Sequence, residues 1–307
     1  MKNKKIIFMG TPLVASEYLK TLIDNNINIE AVFTQPPRKK YRGMKINMSP
    51  VHLLAKQNNI DVFNPEIFDT KIIDQLNKIK PDLIVVMAYG KILPKEVLEL
   101  PKNGSINIHV SYLPRWRGAA PIEYALINGD KKTGITIIKI NEKLDAGPII
   151  AQESFSIPKN INKLQLTNEL TKIGKKLLIN TISSIFNNKI NPIDQNENNA
   201  TYAYKITSEQ RRINFNNSTE KIINHIKAHA PKPGAWFNLN NERIKIIDAK
   251  PGSARGKAST VLNNNFELAT DDGSIDPINL QRQGKNTVTK EEFLRGYKIR
   301  VNDKINE

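Results

Sequence analysis

The most constraining feature of this chain is the run Asp82–Ala88, unbroken in its apolar character after Asp82. A strand of that composition is buried on both faces, which demands helices above and below a largely parallel sheet. The chain around it repeats that logic. An apolar stretch over 5–9 ends at Gly10, and Thr11-Pro12 reads as an N-cap and first helical residue for a helix running to about Asp24. Residues 29–35 read as a second strand, Ser49-Pro50 repeats the cap-then-proline signal, and Asp69 caps a helix over 70–79. Residues 105–110 and 134–140 are further strands. Strands alternating with helices predict an α/β fold: a doubly wound, mainly parallel, Rossmann-like sheet. Such a sheet binds its ligands beyond the carboxyl ends of its strands.

The second half reads differently. A long helix is expected over 163–186, then a polar stretch over 187–199 that contains Asn191-Pro192. A helix over 219–230 precedes short strand-like runs at 235–239, 243–248, 259–262, 266–270 and 278–282. Gly, Asn and Asp separate them. Thr289 and Glu292 form a capping box for a last helix. Many short strands with turn punctuation predict a small C-terminal β-barrel of the OB type. The expected domains are 1–187, a linker over 188–207, and 208–307.

Composition narrows the function classes. There is no cysteine among the 307 residues, so disulfides, thiolate zinc sites and cysteine nucleophiles are excluded. No apolar run approaches the roughly 18 residues of a membrane span. The basic start Met1–Lys5 is followed by only four apolar residues, too few for a signal-peptide core. A cytoplasmic enzyme or an RNA-binding protein is the expectation. The formal charge is +16. Residues 209–307 hold 17 Lys/Arg against 12 Asp/Glu, or +5, so neither half monopolises the excess. An acidic partner such as nucleic acid fits that balance.

Three groups of residues carry candidate chemistry. Asn107 and His109 stand two apart at a strand end, so both side chains leave one face there. A histidine alone more often serves packing than chemistry, but Ser111–Pro121 follows, rich in Gly, Pro and Arg. Asp145 sits in the turn Leu144-Asp145-Ala146-Gly147 after the next strand. Second, the run 38–45 carries five cations and no acid, with Pro36-Pro37 before it, as an exposed loop would. Third, His225 and His229 are four apart. With no H-E-x-x-H pattern beside them they read as a solvated helix face, and no metal is expected. Gly10-Thr11-Pro12 lacks G-x-G-x-x-G spacing, which gives a nicotinamide cofactor little support.

The segments INIHVSYLPRWRGAAP (106–121) and LDAG (144–147) resemble the signature of the folate-dependent formyltransferases. FMGTP, FTQP and VVMAYGKILP sit at that family's spacing, and the likeness extends over nearly the whole chain. Val110, Tyr112 and Pro148 depart from the commonest wording of the motifs. The resemblance implies 10-formyltetrahydrofolate as formyl donor. Its site would be formed by Val86, Tyr89, Gly90, Ile92, Leu93, Ser111, Tyr112, Leu113, Pro114 and Ile140. It implies methionyl initiator tRNA as acceptor, with Arg42 as the main contact and Lys39, Lys40 and Lys45 around it. It also suggests a monomer. Relatives that formylate an amino sugar or a ribonucleotide amine, or that hydrolyse formyltetrahydrofolate, are the alternatives. A noncatalytic RNA-binding protein on the same scaffold is a rival of another class, and retained Asn107, His109 and Asp145 argue against it.

The residue types suit formyl transfer. An amine attacking a formyl carbon makes an oxyanion that the Asn107 amide can hold. His109 can donate or move protons, and Asp145 can orient it.

Overall fold

A computed structural model describes residues 3–40 and 45–305. The chain forms two compact units. One is drawn from 1–117, 134–155 and 169–202, the other from 118–133, 156–168 and 203–307. The units thus cut across the chain: two segments from within 1–187 group with the C-terminal residues.

In the first unit, seven strands make one sheet: β1 (Ile6–Gly10), β2 (Ile29–Phe33), β3 (Asp61–Phe63), β4 (Leu83–Met87), β5 (Ser105–His109), β6 (Lys132–Lys139) and β7 (Ile149–Ser156), in the order β7-β6-β5-β4-β1-β2-β3. The pairs β1–β2, β1–β4, β2–β3 and β4–β5 are parallel. The pair β5–β6 is antiparallel. The sheet is therefore mainly parallel, with its run broken at β6. Every residue of β1 and β4 is buried. Ile7, Met9, Ala31, Phe33, Ile84 and Val86 share one face with Leu76 and Val97. Their alternates Ile6, Phe8 and Val85 are as completely buried on the other.

Local chemistry explains the helix starts. The Ser49 side chain accepts from His52 N at 3.0 Å with Pro50 at N1, opening the helix Pro50–Gln57. Asp69 accepts from Ile72 N at 2.9 Å and opens Thr70–Ile79. Thr11 departs from expectation. The helix begins at Leu13 with Pro12 as its uncapped N-terminal residue. The Thr11 hydroxyl instead donates to the Tyr89 carbonyl at 3.0 Å, tying the end of β1 to the loop after β4. A tertiary acceptor won the competition with the local cap.

The second unit holds an antiparallel half-barrel: β8 (Ala235–Leu239), β9 (Glu242–Pro251), β10 (Leu268–Ala269), β11 (Ser274–Arg282) and β12 (Thr287–Thr289), ordered β8-β9-β11-β10 with β12 on β11. The expected run over 259–262 forms isolated bridges only, Thr260 to Lys304 and Val261 to Leu268. Phe215, Phe237, Phe266 and Phe293 fill the core, with Phe293 stacked on Tyr297 at 4.8 Å. The Thr289–Glu292 capping box is present.

The helix Thr219–His229 corrects the reading of its histidines as solvated. His229 is 1% exposed, and the two rings meet edge to face at 4.7 Å. Their helix face looks inward, so burial pushes His229 down to about 3, with His225, Lys163 and Arg211 adding repulsion. Among the described residues no helix is long and apolar enough to cross a membrane.

Candidate active site

The parallel register sets Asn107 beside Val86, and the antiparallel one sets His109 beside Thr136. Two residues apart on β5, Asn107 and His109 present their side chains on one face at the carboxyl end of the strand. The turn 141–148 brings Asp145 to them. Asn107 Nδ2 donates to Asp145 Oδ1 at 3.2 Å, and His109 Nδ1 lies 3.5 Å from Asp145 Oδ2. One carboxylate therefore spans both side chains. His109 Nε2 lies 2.8 Å from the Trp116 carbonyl, an acceptor, so that nitrogen carries the hydrogen and donates.

The turn is fixed at its base. A Cβ on Gly147 would run into the Lys139 carbonyl, so only glycine allows this approach. Lys139 N donates to the Pro148 carbonyl at 2.9 Å. Asp145 itself has φ +49°, a left-handed conformation that costs a non-glycine residue about 1 kcal/mol or more.

The expected folate-contacting residues divide. Val86 and Tyr89 are buried in one apolar cluster, with Leu93 and Ile140 packed against it. The Tyr89 hydroxyl is buried, and burial pushes its pKa up to about 12. Gly90 is exposed at φ +78°, where the Gln35 amide donates to its carbonyl at 3.1 Å. Ile92 is 94% exposed and Tyr112 41%. Ser111 and Leu113 are buried and engaged in holding their own loop. Ser111 Oγ donates to the Arg115 carbonyl, and Leu113 N donates to Thr136 Oγ1 at 3.2 Å. Pro114 is half-buried in the same loop. A cavity of about 820 Å³ opens near the start of β5, lined by Lys95, Pro101, Ser105, Lys139, Ile140 and Lys143 among others. Of the expected folate residues only Ile140 borders it.

Arg38–Lys40 and Lys45–Asn47 pair as a hairpin, with Lys39 opposite Ile46 and Lys40 opposite Lys45. Arg42 lies outside the described residues. Among the described residues no group of three or more His, Asp or Glu could hold a metal ion.

Sequence reasoning missed Arg117, Gln195 and Glu197. Arg117 is 1% exposed, and its guanidinium donates to Gln195 Oε1 and, bidentately at 2.9 Å, to Glu197. It holds the Glu197 carboxyl below its ordinary range. The polar stretch read as a linker thus carries fixed side chains. Its composition hid them, because Gln and Glu in a polar run look solvated.

The formyl transferase domain model matches residues 4–182, and the formyl transferase C-terminal domain model matches 205–298. The chain belongs to the formyl transferase family. Among curated members it is 41% identical to "Methionyl-tRNA formyltransferase" of Pelagibacter ubique, over 97% of each chain. It is also 41% identical to the protein of that name from Rickettsia africae, over 96% of this chain and 97% of the other. Two solved structures share the fold. HypX from Aquifex aeolicus, in complex with tetrahydrofolic acid, superposes with TM-score 0.67 at 17% identity, over 97% of this chain and 50% of its own. The N-formyltransferase from Helicobacter canadensis, in complex with folinic acid and dTDP-3-aminofucose, does so with TM-score 0.68 at 22% identity, over 91% and 99%. The end of β5 carries Asn107 and His109, and the turn 141–148 carries Asp145.

Proposed function

We propose that this protein transfers the formyl group of 10-formyltetrahydrofolate to the free amino group of methionyl initiator tRNA. The observation that carries the reading is the Asp145 carboxylate spanning Asn107 and His109, in a chain that matches methionyl-tRNA formyltransferases along nearly its whole length. The amine nitrogen attacks the formyl carbon, a C–N bond forms, and the carbonyl oxygen becomes an oxyanion. Asn107 spends one amide hydrogen on Asp145 and keeps a second for that oxygen. The bond to the folate nitrogen then breaks. The proton lost by the amine is returned to that leaving nitrogen through His109 and Asp145. No covalent enzyme intermediate is needed.

A tRNA acceptor is supported by two basic regions. The hairpin supplies Lys39, Lys40 and Lys45, and Arg42 lies between them in the sequence. In the half-barrel, Arg243 stacks on Trp236 at 3.8 Å and Arg212 at 5.6 Å. Burial, followed by Arg211 and Arg243, pulls the Lys245 ammonium below its ordinary pKa. Cations crowded against one another gain from a phosphate backbone that relieves the repulsion. We assign 208–307 to tRNA binding, the 1–187 region to catalysis, and a monomer in the cytoplasm as the working form.

Purified protein with 10-formyltetrahydrofolate and charged initiator tRNA should yield formylmethionyl-tRNA. An amino sugar nucleotide, glycinamide ribonucleotide and no acceptor should give only background. Preferential formylation of the sugar, or folate hydrolysis without acceptor, would overturn the reading.

A further inference from the structure

The Gln195 carboxamide faces two sets of partners at once. Its Nε2 donates to the Asp145 carbonyl and to the Gly147 carbonyl, both at 2.8 Å. Its Oε1 accepts from Arg117 Nε at 3.0 Å and Nη2 at 2.9 Å. Only this orientation of the amide matches donors to acceptors on both sides. The Asp145 backbone thus has its carbonyl held by a side chain fifty residues away, at a residue with positive φ.

The same short segment grips the other flank. Trp116 N donates to Thr201 Oγ1 at 2.9 Å, and Arg117 N donates to the Thr201 carbonyl at 2.8 Å. Trp116, also at positive φ (63°), offers the carbonyl that receives His109 Nε2–H. Both outer supports of the Asn107–His109–Asp145 group therefore run to residues 195–201, joined by the buried Arg117 guanidinium.

We propose that Gln195 is a positioning residue for formyl transfer: it locks the Asp145 turn so that one carboxylate meets Asn107 and His109 together. The role rests on the reading of this site as a formyl-transfer centre. The bonds of Gln195 go to two backbone carbonyls and Arg117 rather than to the side chains of Asn107, His109 or Asp145. What it controls is geometry. A misplacement of about 1 Å in a reacting group can cost on the order of 100-fold in rate.

Gln195→Glu is the sharpest variant. The carboxylate keeps an acceptor for Arg117 but sets oxygen against the two carbonyls. We expect kcat to fall about 10- to 100-fold, with KM for folate and for tRNA within about twofold. The same variant in an Asp145→Asn background should lose little more, because both changes act through one carboxylate. His109 ring resonances, followed by NMR against pH, should titrate differently in Gln195→Glu than in the parent. Gln195→Ala, which adds no charge, guards against a misfolded Glu variant and should show the same kcat loss.

A folded variant with kcat within twofold of the parent, or losses that multiply with Asp145→Asn, would overturn the proposal. If the parent transfers no formyl group while the His109 titration still moves, the assigned reaction fails and the brace stands. An unmoved titration removes the brace itself.

Discussion

Two carboxylates, one in each unit, meet several side-chain or backbone groups, and those groups differ in kind. Glu267 in the half-barrel accepts from Ser253 N at 2.8 Å, Ala254 N at 2.9 Å, Ser274 Oγ at 3.0 Å and Asn263 Nδ2 at 3.2 Å. Asp145 in the sheet unit meets the Asn107 amide and the His109 ring. The first set is mostly backbone and hydroxyl, closing a loop onto a strand. The second set consists of groups that can hold an oxyanion or move a proton. A carboxylate with several partners by itself therefore says little; the chemistry of those partners separates a structural pin from the proposed reacting centre.

The largest expected effect lies at the proposed reacting centre. Asn107→Ala, His109→Ala and Asp145→Ala should each lower kcat by about 10² or more, since oxyanion donors and acid–base groups carry effects of that size. Thermal unfolding should change little. Single-turnover kinetics beside calorimetry would read both, and normal turnover in folded His109→Ala would erase the contrast with Glu267.

Glu267→Ala should do the reverse. Leaving its buried donors unmatched costs about 1–3 kcal/mol of stability, while kcat of the folded fraction stays within about twofold. Burial pushes the Glu267 carboxyl up, but the bonds from Ala254, Ser274, Asn263 and Ser253 together hold it below the ordinary carboxylate range. Its contribution is therefore present above the unfolded value near 4.3 and is lost as pH falls through the folded one. Denaturant titrations at descending pH check this. A Glu267→Ala variant as stable as the parent at pH 7 would sink the assignment of a pin.

His229 sharpens the comparison at milder acidity. It titrates near 3 when folded and near 6.5 when unfolded. The unfolded chain binds the proton first, so stability should decline as pH drops below about 6.5, by at most ~1.4 kcal/mol per unit. His229→Gln should flatten that slope. Equal slopes in both proteins between pH 6.5 and 4 would show that the ring is not buried in solution.

The smallest effect concerns the hairpin. Replacing Lys39, Lys40, Arg42 and Lys45 by Ala should raise KM for charged tRNA and flatten its salt dependence by nearly one unit of slope per lost phosphate contact. Arg42 alone should matter most, and Arg42→Lys should recover only part, because a guanidinium binds bidentately and an ammonium does not. Formyl-folate KM should hold steady. Steady-state kinetics at several salt concentrations would show an unchanged tRNA KM if the hairpin is merely solvated.

Local signals marked most elements. Continuous apolar runs placed β1 and β4, Ser49 and Asp69 placed their helices, and the 163–186 helix falls where its residues predict it. The Asn107–His109 spacing announced a shared face because a strand's period is two. The sequence by itself thus determined the α/β sheet, a small barrel-like C-terminal β domain and the residue types of the proposed reacting group. Only the tertiary structure decided who meets whom. Whether Thr11 caps a helix or ties two loops depended on a carbonyl 78 residues away. Whether His229 is solvated depended on what its helix face covers. Whether Gln195 is a tether residue or a brace depended on Arg117 and the Asp145 turn. Periodicity and capping act within a few residues of chain, so they can be read along it. Hydrogen bonds between distant segments depend on where the fold delivers donors and acceptors, and composition carries no record of that.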